Sequence, residues 1–400
     1  PCGDTGPTTV DDISTNDNDA TAVGSPTFGE AGIDVNTTAI LCRSNDEYLQ
    51  TLTASDAGSG DDYGGGVSVS GNGGVLAVSS LRWDSATQTN IGIVYVYDIV
   101  DGMVVTPERD TIILPTPETD SQIASVCLDF NGTTIVIGNR DYDITYVNQG
   151  RVLTYDYSGG TWTQRGSDLT VALEVNARFG ISVGISPDGE KLAVGMLRSD
   201  LSGRVYLFDR NGSGWTLDQF IVSSDIAAVD QFGWAVSLTN SPYDLLVGAS
   251  AKNSITGAVY YFTDVGGTYT QQQKILASDG VASDHFGHAV WQAIDGSYAF
   301  IGARQDTGKT GKVYRFSFSG GTWTEDYILD NLDDVENSDR YGYALSFDVN
   351  TNKIYVGATR WEGPNTDQGA VFVSLSRGYI DFSSNAAVTG GVAPGFPSAQ

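Results

Sequence analysis

The stretch FGISVGISPDGEKLAVG (179–195) holds two short apolar runs joined by Pro187-Asp188-Gly189. Pro and Gly together set a tight turn, so the two runs pair as an antiparallel hairpin. Immediately outward, GRVYLFDRNGSGWTLDQFIVSSD (203–225) supplies two more runs around Asn211-Gly212-Ser213-Gly214. The unit is therefore a four-stranded sheet. It recurs as FGWAVSLTNSPYDLLVGA from Phe232, FGHAVWQAIDGSYAFIGA from Phe286 and YGYALSF from Tyr341, with openings 53, 54 and 55 residues apart. A four-stranded unit repeated at this period is a propeller blade, since each sheet can bury its faces only against its neighbours.

Toward the N-terminus the same phase persists through unequal steps. The openings are Phe28-Gly29, Tyr63-Gly64, Ile123-Ala124, Phe179-Gly180, Phe232-Gly233, Phe286-Gly287 and Tyr341-Gly342. Each apolar stretch ends in a basic residue: Arg43, Arg82, Arg140, Arg198, Lys252, Arg304 and Arg360. Seven such closings favour an all-β, seven-bladed propeller of four-stranded antiparallel blades. Its first blade is short by one strand, and RGYIDFSS (377–384) is the natural strand to complete it and remove an open edge. A six-bladed ring with 28–54 as an accessory hairpin is the other reading of the same repeats. The expected organisation is an acidic low-complexity tail (1–27), a propeller (28–384) and a Gly/Ala/Pro tail (385–400), neither tail able to build a core.

Composition bounds the function. The chain has 49 acidic against 21 basic residues, a formal charge of -28, which keeps it soluble and repels phosphate backbones, so nucleic acid is not an expected partner. No run approaches the roughly 20 apolar residues that span a bilayer. Cys2, Cys42 and Cys127 fit neither a disulfide framework nor a metal-ligand spacing. The expected location is extracellular or at the cell surface.

The units FGISVGIS…LAVGM, FGWAVSL…LLVGA, FGHAVWQ…AFIGA and YGYALSF…IYVGA resemble FG-GAP repeats, the blades of the integrin α-subunit propeller and of many secreted proteins. The resemblance covers about 28–376 and implies the fold; the chemistry must be read from individual residues. Integrin-type blades often carry a DxDxDG calcium loop. Here the corresponding turns are SGNGG (70–74), DFNGT (129–133), SPDGE (186–190) and DVNTN (348–352). They hold too few carboxylates for that pattern and read as plain turns, so no metal or other cofactor is expected, loosely bound calcium at the Asp-rich connectors excepted.

In a hairpin the closing base lies beside its own opening aromatic, which puts the basic residues on one face. Four have an Asp two residues before the opening, giving structural pairs Asp61 with Arg82, Asp230 with Lys252, Asp284 with Arg304 and Asp339 with Arg360. Arg43, Arg140 and Arg198 lack one. With Trp83 and Trp361, which follow two closings, they are the ligand-binding candidates for an acidic glycan or other anion. Trp162, Trp215, Tyr269 and Trp323 recur at blade spacing and read as packing between blades. His285 and His288, the only histidines, read as polar residues at a blade edge, and no catalytic triad order accompanies them. Asn36, Asn131 and Asn211 head N-x-S/T sequons, candidates for N-glycosylation. The expected function is a non-enzymatic structural or adhesive surface protein, a filament or sheath subunit self-associating through its tails. Its alternatives are a lectin-like binder of acidic glycans and a polysaccharide lyase or hydrolase.

Overall fold

The computed structural model describes residues 48–375 except 172–173, 199, 213, 241, 305–310, 330–338 and 363–364. Beyond these it describes only the backbone of short strands near the N-terminus. The chain divides into two units, one spanning Tyr48–Leu375 and the other made of 1–47 and 376–400. In the second unit, Gly3–Gly6 pairs with Thr9–Asp11, which pairs with Ala20–Thr21, and Phe28–Gly29 pairs with Gly32–Ile33.

The first unit is a ring of six blades, not seven. Blade 1 runs from Tyr63–Val69 through Val75–Ser80 and Ile93–Val100 to an outer edge split between Met103–Val104 and Asp110–Ile112. Blades 2 to 5 open at Ile123, Val183, Phe232 and Phe286 and use four consecutive strands each. Blade 6 takes Tyr341–Asp348, Lys353–Ala358 and Ala370–Leu375 in order, and its outer strand is Tyr48–Leu52. The closing strand of blade 6 thus comes from the N-terminal side, and the expected seven blades are corrected to six; the expected donor 377–384 lies outside the described residues. The expected first unit contributes only its last strand to the ring. Its register against Ala370–Leu375 puts that strand in the fourth position of blade 6.

The hydrophobic core lies between blades rather than within them. Side chains alternate across a strand, so a strand sandwiched between two blades is apolar on both faces. In the second strand of blade 4, Leu245, Val247 and Ala249 pack with Val205 and Leu207 of blade 3, whereas Leu246 packs with Ile301 and Tyr314 of blade 5. The same division holds at the seam, where Leu52, Tyr355, Val371 and Val373 of blade 6 meet Tyr63, Leu76 and Tyr95 of blade 1. Serine hydroxyls join neighbouring innermost strands: Ser346 Oγ accepts from Val69 N at 2.9 Å, Ser68 Oγ from Leu128 N at 2.9 Å and Ser237 Oγ from Gln292 N at 3.0 Å.

The opening aromatic-Gly pair fixes how blades abut. Tyr63, Phe179, Phe232, Phe286 and Tyr341 are fully buried and stack edge-on against aromatics of their own third strands, as Phe286 does on Tyr314 at 5.2 Å. The Gly that follows adopts φ of +84° at Gly287, and a Cβ there would lie 2.6 Å from the carbonyl oxygen of Ala258 in the preceding blade. Only glycine fits both conditions. The residue before each aromatic is also left-handed, from Asp62 (φ 54°) to Arg340 (φ 62°), which turns the connector sharply into the innermost strand.

Candidate functional site

The innermost strands of all six blades surround an axial channel. At the end where those strands begin, a cavity of about 100 Å³ is lined by residues of every blade. Two residues after each opening aromatic, the chain places one side chain around this mouth: Gly65, Ser125, Ile181, Trp234, His288 and Tyr343. Blades 4 to 6 present rings and blades 1 and 2 small groups. The rings pack in series, with Trp234 to His288 at 5.1 Å and His288 to Tyr343 at 4.4 Å.

His288 is 4% exposed, which differs from its expected place at a blade edge. Its Nδ1 lies 2.9 Å from the carbonyl oxygen of Tyr343. A carbonyl only accepts, so Nδ1 carries the proton and Nε2 keeps its lone pair. Burial first, then the charge of Arg304, pushes the imidazole well below its ordinary pKa, so the ring is neutral.

Arg140 extends into the vacant side. Its Nε donates to Asp141 at 2.9 Å, Nη2 donates to Gln122 Oε1, and the guanidinium faces the Tyr343 phenol of blade 6. Burial alone would lower its pKa; Asp141 and Tyr343 more than offset that and raise it. Asp141 also accepts from Arg178 at 2.9 Å. The carboxylate serves two guanidinium groups at the rim.

Three other closing bases meet carboxylates too. Lys252 Nζ lies 2.6 Å from Asp230, both side chains about nine-tenths buried. Arg82 pairs at 3.1 Å with Asp62, the residue next to the expected Asp61. Arg198 reaches Glu174 at 3.5 Å and Asp200 at 3.8 Å. Arg304 has a further contact at 3.4 Å to His285, and the Arg360 amide donates to the Asp339 carbonyl at 3.1 Å. Arg43 lies outside the described residues.

The Asp two before the opening has a second duty that spacing alone does not display. Asp61, Asp230 and Asp284 each accept from a backbone N–H three residues earlier, Gly58, Ala227 and Val281, at 2.7, 2.7 and 2.8 Å. They cap the connector turn. Further along the connectors, Asp56, Asp225 and Asp279 accept from the hydroxyls of Tyr95, Tyr260 and Tyr314 at 2.5, 2.6 and 2.7 Å. At the seam, burial pushes the Asp62 carboxyl up to about 6 against the pull of Arg82, Arg340 and Arg360.

Trp83 is half-buried, packs on the blade 6 to blade 1 core and donates to Asp56 at 3.0 Å. Trp361 packs beside Phe372 at 6.3 Å. Trp162, Trp215, Tyr269 and Trp323 all join inter-blade clusters. Asn131 and Asn211 are exposed; Asn36 lies outside the described residues. Asp129 and Asp348, the acidic members of two inner turns, accept from Thr133 N at 2.8 Å and Asn350 N at 2.9 Å. Among the described residues no three His, Cys, Asp or Glu side chains converge as a metal site. Burial raises the Cys127 thiol; Cys2 and Cys42 lie outside the described residues. No described helix is long and apolar enough to cross a membrane.

The profile of the family described as FG-GAP repeat matches residues 48–97, 215–262 and 269–316. The propeller therefore carries FG-GAP repeats in three of its stretches. Each match begins at the outer strand of one blade and ends in the third strand of the next, so the repeat of the FG-GAP propeller is offset from its blades by one strand. No curated protein matches the chain. Among solved structures it is similar to a periplasmic gluconolactonase of Pseudomonas aeruginosa (14% identity, 92% of this chain and 94% of that one, TM-score 0.50). It is also similar to a putative 6-phosphogluconolactonase of Bacteroides uniformis (14%, 73% and 77%, 0.49) and to hydrazine synthase of Kuenenia stuttgartiensis (16%, 78% and 78%, 0.48). At such identities the likeness concerns the fold alone.

Proposed function

We propose that this FG-GAP propeller is a non-enzymatic structural or adhesive protein of the cell exterior, self-associating through the segments on either side of its ring. The supporting observation is the seam. Tyr48 pairs with Ser374, so residues 1–47 and 376–400 leave the propeller from adjacent points of one blade, a single place from which a linking unit is presented. The bases on the Arg face fit this reading, since Arg82, Arg140, Arg198 and Lys252 already hold carboxylates of the chain and an external anion would have to displace them. A charge of -28 opposes contact between copies, so association strengthens as salt screens that repulsion. Negative-stain microscopy and mass photometry of the full chain from low to high salt test the proposal. Filaments or discrete oligomers that grow with salt are expected; a monomer throughout overturns it.

A further inference from the structure

Of the buried polar side-chain atoms without a hydrogen-bond partner among the described residues, one belongs to a residue that lines the axial mouth. His288 lines the axial mouth, and its buried Nε2 has no hydrogen-bond partner among the described residues. A buried acceptor left unpaired carries a desolvation penalty that a bound donor relieves. The donor cannot be a cation, because Arg140 lines the same cavity and the charge of Arg304 is felt at His288. Nor can it be a bare carboxylate or sulfate, which have no hydrogen to give. A neutral hydroxyl meets both conditions, and its oxygen can in turn accept from Arg140.

Size and walls narrow the class. About 100 Å³ is room for roughly three waters, enough for a hydroxymethyl arm and too little for a pyranose ring. The ring would stay at the rim, where the half-buried Trp234 and Tyr343 offer aromatic faces to its C–H groups. We propose that the axial mouth binds the chain end of a neutral hexose polysaccharide, with the exocyclic hydroxymethyl inserted to donate to His288 Nε2 and the sugar ring resting against Trp234. The site is independent of self-association through the terminal segments and stands whether or not the protein assembles.

Calorimetric titration of the full chain with D-glucose, D-galactose, D-xylose, D-glucuronate and a neutral gluco-oligosaccharide decides it. A hexose should bind with Kd on the order of 1 mM, and the oligosaccharide more tightly. Xylose, which lacks the arm, and glucuronate, whose arm is a carboxylate, should each be weaker by about ten-fold, the worth of one hydrogen bond. His288→Phe keeps a ring but removes the acceptor, and Trp234→Ala removes the platform; each should lose about ten-fold with unchanged circular dichroism. Absence of saturable binding, equal affinity for xylose, preference for glucuronate, or an oligosaccharide no tighter than free hexose overturns the proposal. Unchanged affinity in either folded variant does so as well. If neither variant folds, the sugar series on the native chain decides alone.

Discussion

Two glycines with nearly the same backbone conformation isolate what holds one blade to the next. Gly287 has φ +84° and a substituted Cβ would sit 2.6 Å from Ala258 O; Gly267 has φ +87° in a hairpin turn, with nothing within 4 Å of the same position. Changing either to Ala imposes a left-handed alanine, costing about 1–2 kcal/mol. Gly267→Ala should stop there. Gly287→Ala must also push the start of Phe286–Gln292 off the third strand of blade 4, an overpacking penalty of about 1–3 kcal/mol, for a total of about 2–5 kcal/mol. Urea unfolding of both variants, followed by tryptophan emission, reads the difference directly, because the conformational contribution is common to both. Equal losses within about 0.5 kcal/mol would refute the view that the opening glycine exists to let adjacent blades touch.

Leu52 is 1% exposed at the seam, so Leu52→Ala should cost about 2–5 kcal/mol, whereas Leu217→Ala on the exposed edge of blade 3 should stay within about 0.5 kcal/mol; a neutral Leu52→Ala contradicts the closing role of Tyr48–Leu52. Removing one partner of the buried Lys252–Asp230 pair, by Lys252→Met or Asp230→Asn, should cost about 3–5 kcal/mol in urea unfolding, with the double variant recovering part of it; additive losses would argue against a coupled pair. Asp62 binds its proton more tightly folded than unfolded, so between about pH 4 and 6 the folded state holds more protons and this group's contribution falls as pH rises. A rise of about two pKa units corresponds to about 3 kcal/mol, so the stability of Asp62→Asn relative to the native chain should improve by up to that amount from pH 4 to pH 8, and a flat difference would count against the shift.

The blade boundaries were legible in the sequence because the aromatic-Gly pair is a steric requirement at five of the six blade openings, Ile123-Ala124 keeping the phase at the other. The number of blades was not, since Phe28-Gly29 has the same two residues yet precedes the unit Tyr48–Leu375 that forms the ring. A usable signal was present. Leu52, Ile221 and Ile275 each stand 11 residues before the next opening aromatic, and all three are buried ends of outer strands. That phase marks 48–52 as the last strand of the preceding blade, which in a ring means blade 6. The closing bases were visible as a set, but their acceptors depend on where side chains point: Arg82 takes Asp62, although Asp61 occupies the repeat position and accepts from Gly58 N. No local signal in the sequence pairs Trp234 with His288. They are 54 residues apart, and only ring closure places neighbouring innermost strands side by side.

The seam also determines how the molecule bears load. Tyr48 begins its strand where Ser374 is ending the neighbouring one, in antiparallel register. Tension applied between Tyr48 and Leu375 therefore pulls at the same end of both strands and opens their hydrogen bonds one after another, like a zipper, instead of loading them together in shear. A chain of these propellers linked by their ends would yield first at blade 6, at low force, while the other five blades stay intact. Slack released there is recoverable, because the opened strand remains tethered beside its partner.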